Sequence, residues 1–113
     1  MTDNCLFCRI ARKEIPATIV FEDETVLAFR DIDAKAPTHV LVIPRAHVAS
    51  LSDVQDASLL GALQLAAATI ARSEGIADSG YRTVMNTGTD AGQTVFHVHL
   101  HLLGGRKLGW PPG

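Results

Sequence analysis

The chain is short of cysteine, carries little net charge and has no long apolar run, and each shortage removes a class of protein. Two cysteines stand in 113 residues, both within Cys5-Leu6-Phe7-Cys8. In a reducing compartment such a pair is a metal half-site or a redox dithiol rather than a structural disulfide, and a chain of this length can build a core without such a staple. Ten Lys and Arg against twelve Asp and Glu leave a net charge of −2. The basic excess that non-specific nucleic-acid or membrane-surface binding requires is absent. The longest mostly apolar stretch, 59–71, is interrupted by Gly61, Gln64 and Thr69 and is too short to span a bilayer. Met1-Thr2-Asp3-Asn4 has neither the basic nor the apolar region of a secretory leader, so a cytoplasmic protein is expected. With no internal repeat or low-complexity tract, 47% hydrophobic and 19% charged residues describe one globular domain over 1–113.

What is present is ordered along the chain. Residues 5–12 read as a short helix broken by Glu14-Ile15-Pro16. Segments 17–22 and 25–30 read as strands around an Asp23-Glu24 turn. Segment 38–44 reads as a central strand, because Val40-Leu41-Val42-Ile43 is apolar on both faces. Ser52 or Asp53 is the expected N-cap of a long helix. Val54, Leu60, Leu63, Ala67 and Ile70 keep helical spacing, Leu59, Ala62 and Ala66 widen the apolar arc, and Gly75 ends the run. An arc that wide calls for a second partner besides the sheet. Strands at 81–86 and 95–103 flank a Gly-rich polar loop, 87–94. The expected fold is α+β: a five-stranded antiparallel sheet with one long helix and one short N-terminal helix.

The richest segment is His97-Val98-His99-Leu100-His101-Leu102-Leu103, which holds three of the five histidines. Read as a strand, it puts all three imidazoles on one face, successive ones roughly 6.5–7 Å apart. Three groups titrating near neutrality on one face point to proton or metal chemistry. Three arrangements are open. Cys5 and Cys8, with His47 and His97, give the four N and S ligands of a closed zinc site. Alternatively His97, His99 and His101 or His39 hold a catalytic zinc, although no acidic residue near the triad can act as base and the cysteine pair is then unexplained. In the third, a neutral imidazole attacks phosphorus, with backbone N–H groups around Gly92-Gln93-Thr94 and the Thr94 hydroxyl on the phosphoryl oxygens.

The run from Gly92 through Phe96 and the three histidines to Gly104-Gly105-Arg106 resembles the signature of the histidine-triad (HIT) superfamily. Cys5-Leu6-Phe7-Cys8-Arg9-Ile10, Glu14-Ile15-Pro16-Ala17, Phe29-Arg30-Asp31-Ile32, Ala36-Pro37-Thr38-His39-Val40-Leu41-Val42-Ile43-Pro44 and the ending Trp110-Pro111-Pro112-Gly113 look like its Hint branch, the histidine-triad nucleotide-binding proteins. That resemblance implies a homodimer that cleaves the P–N bond of purine nucleoside phosphoramidates, or acyl-nucleotide anhydrides, through a nucleotidyl-histidine and without a catalytic metal. By motif, His99 is the implied nucleophile, His101 the phosphate contact and His39 a further active-site histidine. Asn86, Gly92, Gln93 and Thr94 line the phosphate side. Asp31 accepts from the ribose, and Phe7, Ile10, Phe29 and Ile32 form the base slot. Cys5, Cys8, His47 and His97 fall on the structural zinc positions of zinc-containing relatives. The long helices of two subunits would pair across a dimer axis.

One departure stands out, since the Hint branch typically has Ser where this chain has Thr94. Thr is common in the Fhit branch of dinucleoside polyphosphate hydrolases, so that reaction is the alternative chemistry. A nucleotide-binding regulatory or scaffolding protein is the alternative outside enzymology.

Overall fold

The computed structural model describes residues 4–113; Met1, Thr2 and Asp3, which enter the one-domain and leader readings, lie outside the described residues. In chain order the elements are α1 (Leu6–Ala11), β1 (Ile19–Glu22), β2 (Val26–Arg30), β3 (Thr38–Pro44), α2 (Ala57–Ser73), β4 (Tyr81–Val84) and β5 (Leu100–Gly104). The strands form one antiparallel sheet in the order β1-β2-β3-β5-β4. No helix among the described residues is long and apolar enough to cross a membrane.

Each face of the sheet carries its own core, because alternate residues of a strand point opposite ways. Val40, Val42, Leu100 and Leu102 pack with Leu63, Ala67 and Ile70 of α2. Leu41 and Ile43 face the other way and meet Phe7 and Ile10 of α1, Leu27 and Phe29. The centre strand β3 is buried along its whole length, as its unbroken apolar run requires.

Local polar chemistry moves several expected boundaries. The long helix is capped not by Ser52 or Asp53 but by Asp56, whose side chain accepts from the Ser58 N–H and hydroxyl. Leu51–Asp53 is a separate 3-10 turn, in which Ser50 donates to Asp53, and Val54 precedes the helix. At the other end Gly75 takes φ +75° while its N–H and that of Ile76 close back on Arg72 and Ala71, the left-handed stop expected there. The first helix ends before Ile15 and Pro16, at Ala11, with Lys13 at φ 64°.

The histidine segment differs most. Its ladder starts at Leu100, so of the three histidines only His101 lies in a paired strand. The chain upstream spends its hydrogen bonds elsewhere. The Val98 N–H reaches the Val48 carbonyl, and the His97 carbonyl is taken by the His99 side chain. β4 therefore stops at Val84, opposite His101, and leaves Asn86 beyond the ladder.

Candidate active site

A cavity of about 770 Å³ opens beside the unpaired histidine segment. Its apolar wall includes Phe7, Ile10, Phe29 and Leu41, and its polar wall Asp31, Asn86, Gly92, Thr94, His99 and His101. Phe7, Ile10 and Phe29 are buried, with the Phe7 ring edge-on to Phe29 and, at 5.1 Å, to His99. Ile32 also lines the cavity but is fully exposed, which makes it a rim residue rather than part of a buried slot. Leu41, which the sequence reading does not assign to the site, enters because the ladder sets it opposite His101.

The proton positions of the histidines follow from what faces each nitrogen. A carbonyl oxygen only accepts, so the 2.8 Å contact between His99 Nδ1 and the His97 carbonyl places the His99 proton on Nδ1. Neutral His99 then carries its lone pair on Nε2. A backbone N–H only donates, so the 3.0 Å bond from Lys35 to His39 Nδ1 leaves that nitrogen unprotonated. The His39 proton therefore sits on Nε2, directed at His101 Nδ1 at 2.9 Å and at an Asp31 oxygen at 3.3 Å. His101, accepting at Nδ1, keeps its own proton on Nε2. One imidazole is thereby a lone-pair donor and its neighbour, with ring centres 5.1 Å apart, a hydrogen-bond donor.

Burial disfavours the charged forms of His101 and His39. The His101 imidazole is pushed down to about 4, chiefly by desolvation and then by the charges of His99 and His39, with Asp31 opposing. His39 is lowered as well, again by desolvation first, with Asp31 pulling the other way.

The glycine-rich loop is tied to itself more than expected. The Gly92 and Gln93 N–H groups bond to the Thr89 and Gly88 carbonyls. The Gln93 side chain accepts from the Gly88 N–H and donates to the Ala49 and Val95 carbonyls. Gln93 does not line the cavity and acts as the brace of the loop; of the three N–H groups over 92–94, only that of Thr94 is left with no partner among the described residues, as is its hydroxyl.

A second cluster lies behind the histidine segment. Cys5, Cys8, His47 and His97 offer ligand atoms all within 4.8 Å of one another. His97, wholly buried, donates through Nε2 to the Pro44 carbonyl at 2.8 Å, so its Nδ1 lone pair faces the cluster. It lies 3.4 Å from each sulfur and 3.2 Å from His47 Nδ1. Tetrahedral edges on zinc run about 3.3 Å between nitrogens and about 3.6 Å between nitrogen and sulfur, so the residues fit such an ion. Without a cation, burial first and then the bonding and charge of Cys5 push the Cys8 thiol up to about 11, against Arg12.

Asp31, His39 and His101 also group closely enough to hold a metal, but the proton count is against it. His39 Nε2 has no lone pair to give while Lys35 donates to Nδ1. That trio is a hydrogen-bond chain.

Comparison with known proteins matches the HIT domain model over residues 12–108. An uncharacterized HIT-like protein of Synechococcus elongatus is 52% identical over the full length of both chains. The purine nucleoside phosphoramidase of Escherichia coli K12 is 49% identical, over 96% of this chain and 93% of that one. A solved HIT family hydrolase from Legionella pneumophila Philadelphia 1 superposes with a TM-score of 0.95 at 54% identity, covering 97% of this chain and all of the other.

Proposed function

This chain belongs to the HIT domain family, and from that premise we propose that it hydrolyses the P–N bond of purine nucleoside phosphoramidates through a nucleotidyl-His99 intermediate. The observation that carries the reading is the 2.8 Å bond from His99 Nδ1 to the His97 carbonyl, which aims an unprotonated Nε2 at the cavity. The named activity of the E. coli relative supports the substrate class.

In the first step His99 Nε2 bonds to the α-phosphorus and the P–N bond breaks; the departing nitrogen takes a proton from solvent and leaves as an amine. Charge gathers on the phosphoryl oxygens. His101 Nε2–H and the Thr94 N–H and hydroxyl are the donors placed to meet it. The phosphorylated imidazole keeps its Nδ1 proton on the His97 carbonyl. Water then bonds to phosphorus, its extra proton passes to solvent, the bond to His99 breaks, and a nucleoside monophosphate remains. Phe7, Ile10, Phe29 and Leu41 take the purine, Ile32 covers it at the rim, and Asp31 accepts from the ribose. The methyl group of Thr94 crowds the leaving-group side compared with a serine.

Cys5, Cys8, His47 and His97 hold a structural zinc in this reading. It supplies a crosslink that fixes residue 97, whose carbonyl orients the nucleophile, and no catalytic metal is required. A homodimer in this reading would cover Leu65 of α2, 72% exposed, and Trp110 of the C-terminal tail, 82% exposed. The two thiols, free of disulfide bonding, suit the cytoplasm.

Incubation with adenosine 5′-phosphoramidate, stopped without acid and followed by intact-mass measurement, should show the gain of one adenylyl group, absent in His99→Ala. Binding without turnover or adduct would leave a nucleotide-binding regulator instead. Turnover of a diadenosine polyphosphate in preference to the phosphoramidate would replace the reaction with its Fhit-type alternative.

A further inference from the structure

Arg106 stands outside the cavity, in the turn after β5, yet all three of its guanidinium nitrogens are committed. Nε and Nη2 both donate to the Lys35 carbonyl, at 3.2 and 2.8 Å, and Nη1 donates to the Lys107 carbonyl at 3.0 Å. The fork thus grips one backbone oxygen 71 residues away in sequence. The preceding residue lets it come that close. Gly105 has φ +91°, and a Cβ there would sit 2.9 Å from Pro37 Cβ, so the turn after β5 and the loop before β3 are in contact with no room for a side chain. Two residues thereby build one feature: glycine for the approach and arginine for the clamp.

The gripped residue is the one whose N–H fixes His39. Lys35 presents its carbonyl to Arg106 and its N–H to His39 Nδ1 at 3.0 Å. The loop's remaining supports lie near its start, where the Asp31 N–H donates to the His39 carbonyl at 3.0 Å and the Asp33 N–H to Asp31 Oδ1 at 2.8 Å. The Lys35 side chain adds only an exposed pair with Asp33, and such pairs hold little.

We propose that Arg106 is a positioning residue for the reaction: by clamping Lys35 it holds His39 as the Nε2–H donor that makes His101 a donor to the phosphoryl group. The proposal rests on the reading of His101 as the phosphate contact. A looser Lys35 frees His39 Nδ1 to take a proton and lets the ring swing away from His101. His101 then has no neighbour dictating which nitrogen bears its proton. In the wrong tautomer it turns a lone pair toward the phosphoryl oxygens, where acceptor faces acceptor.

Nitrogen-15 spectra of histidine-labelled protein read this directly. In the wild type, Nδ1 of both His39 and His101 should be unprotonated; protonated His39 Nδ1 there would overturn the proposal without any variant. In Arg106→Gln, with melting temperature measured alongside, His39 Nδ1 should move toward the protonated position and His101 should show mixed tautomers. kcat/KM for adenosine phosphoramidate should fall roughly ten-fold, with Arg106→Lys, which keeps one donor, between the two. A folded Arg106→Gln whose imidazole nitrogens match the wild type sinks the idea. If Arg106→Gln does not fold, the same spectra on Arg106→Lys decide it. Nitrogen signals that respond in a protein with no phosphoramidase activity would uphold the clamp on His39 while removing the functional reading and, with it, the clamp's part in that reaction; activity with unresponsive signals would keep the functional reading and sink the clamp.

Discussion

At the scale of the residue, three of the histidines owe their proton positions to a single backbone group each, and His101 takes its own from His39. Pro44 and His97 carbonyls set the protons of His97 and His99, and the Lys35 N–H sets that of His39. Neutral rings are essential to that scheme, and pH tests it. The His101 imidazole falls from the ordinary 6.5 to about 4 in the folded chain because it is desolvated beside two other imidazoles. Between those values the unfolded chain binds the proton and the folded chain does not, so stability rises with pH there and is lost on acidification. Denaturant titrations from pH 7 to 4 should therefore show a falling unfolding free energy. The His101 share, on the order of 2–3 kcal/mol, should be missing from His101→Asn. An unchanged pH slope in that variant would count against the depressed value.

At the scale of the element, side chains that compete for backbone groups decided where helices and strands begin. Ser52 and Asp53 satisfy the sequence rule for an N-cap as well as Asp56 does. They differ only in what the chain does next, since Ser50 and Asp53 bond to each other in a separate turn. Asp56 is the residue whose oxygen meets the first free N–H of α2. Asp56→Ala should cost about 1 kcal/mol and Ser52→Ala a few tenths at most, measured by urea unfolding; equal costs would restore the earlier boundary. The shortened β5 has the same kind of origin. Bonds from Val98 to Val48 and from His99 to His97 draw the chain off the ladder, which sets His99, the proposed nucleophile, beside the sheet rather than on it.

At the scale of the whole molecule, the Cys5, Cys8, His47 and His97 cluster ties the N-terminal segment, the end of β3 and the start of the histidine segment into one knot. Protein purified without chelator should contain about one zinc per chain by elemental analysis. Cys5→Ser should lose it and melt several degrees lower. Because residue 97 both carries a ligand and orients His99, metal removal should also disturb the His99 nitrogen signals while leaving those of His39 in place. Zinc retained by Cys5→Ser, or a melting point indifferent to chelator, would refute the assignment.

Hydrophobic pattern alone determined the α+β plan, the central place of β3 and the face of α2 that is buried, because burial periodicity is local and repeats along each element. The alternating histidines, the Cys-x-x-Cys pair and the Gly-rich loop were also legible, as residue types rare enough to mark chemistry. Their division into roles was not. Whether an imidazole gives a lone pair or a proton depends on which carbonyl or N–H faces its other nitrogen. Pro44 lies 53 residues from His97 and Arg106 lies 71 from Lys35, distances that no motif spans, and the Lys35 N–H, only four residues from His39, meets Nδ1 through a loop conformation that the residue types do not announce. Gln93 and Ile32 make the same point, one drawn into bracing its own loop and the other left on the rim. Only the assembled sheet, which brings the turn after β5 against the loop before β3, decided where each proton rests.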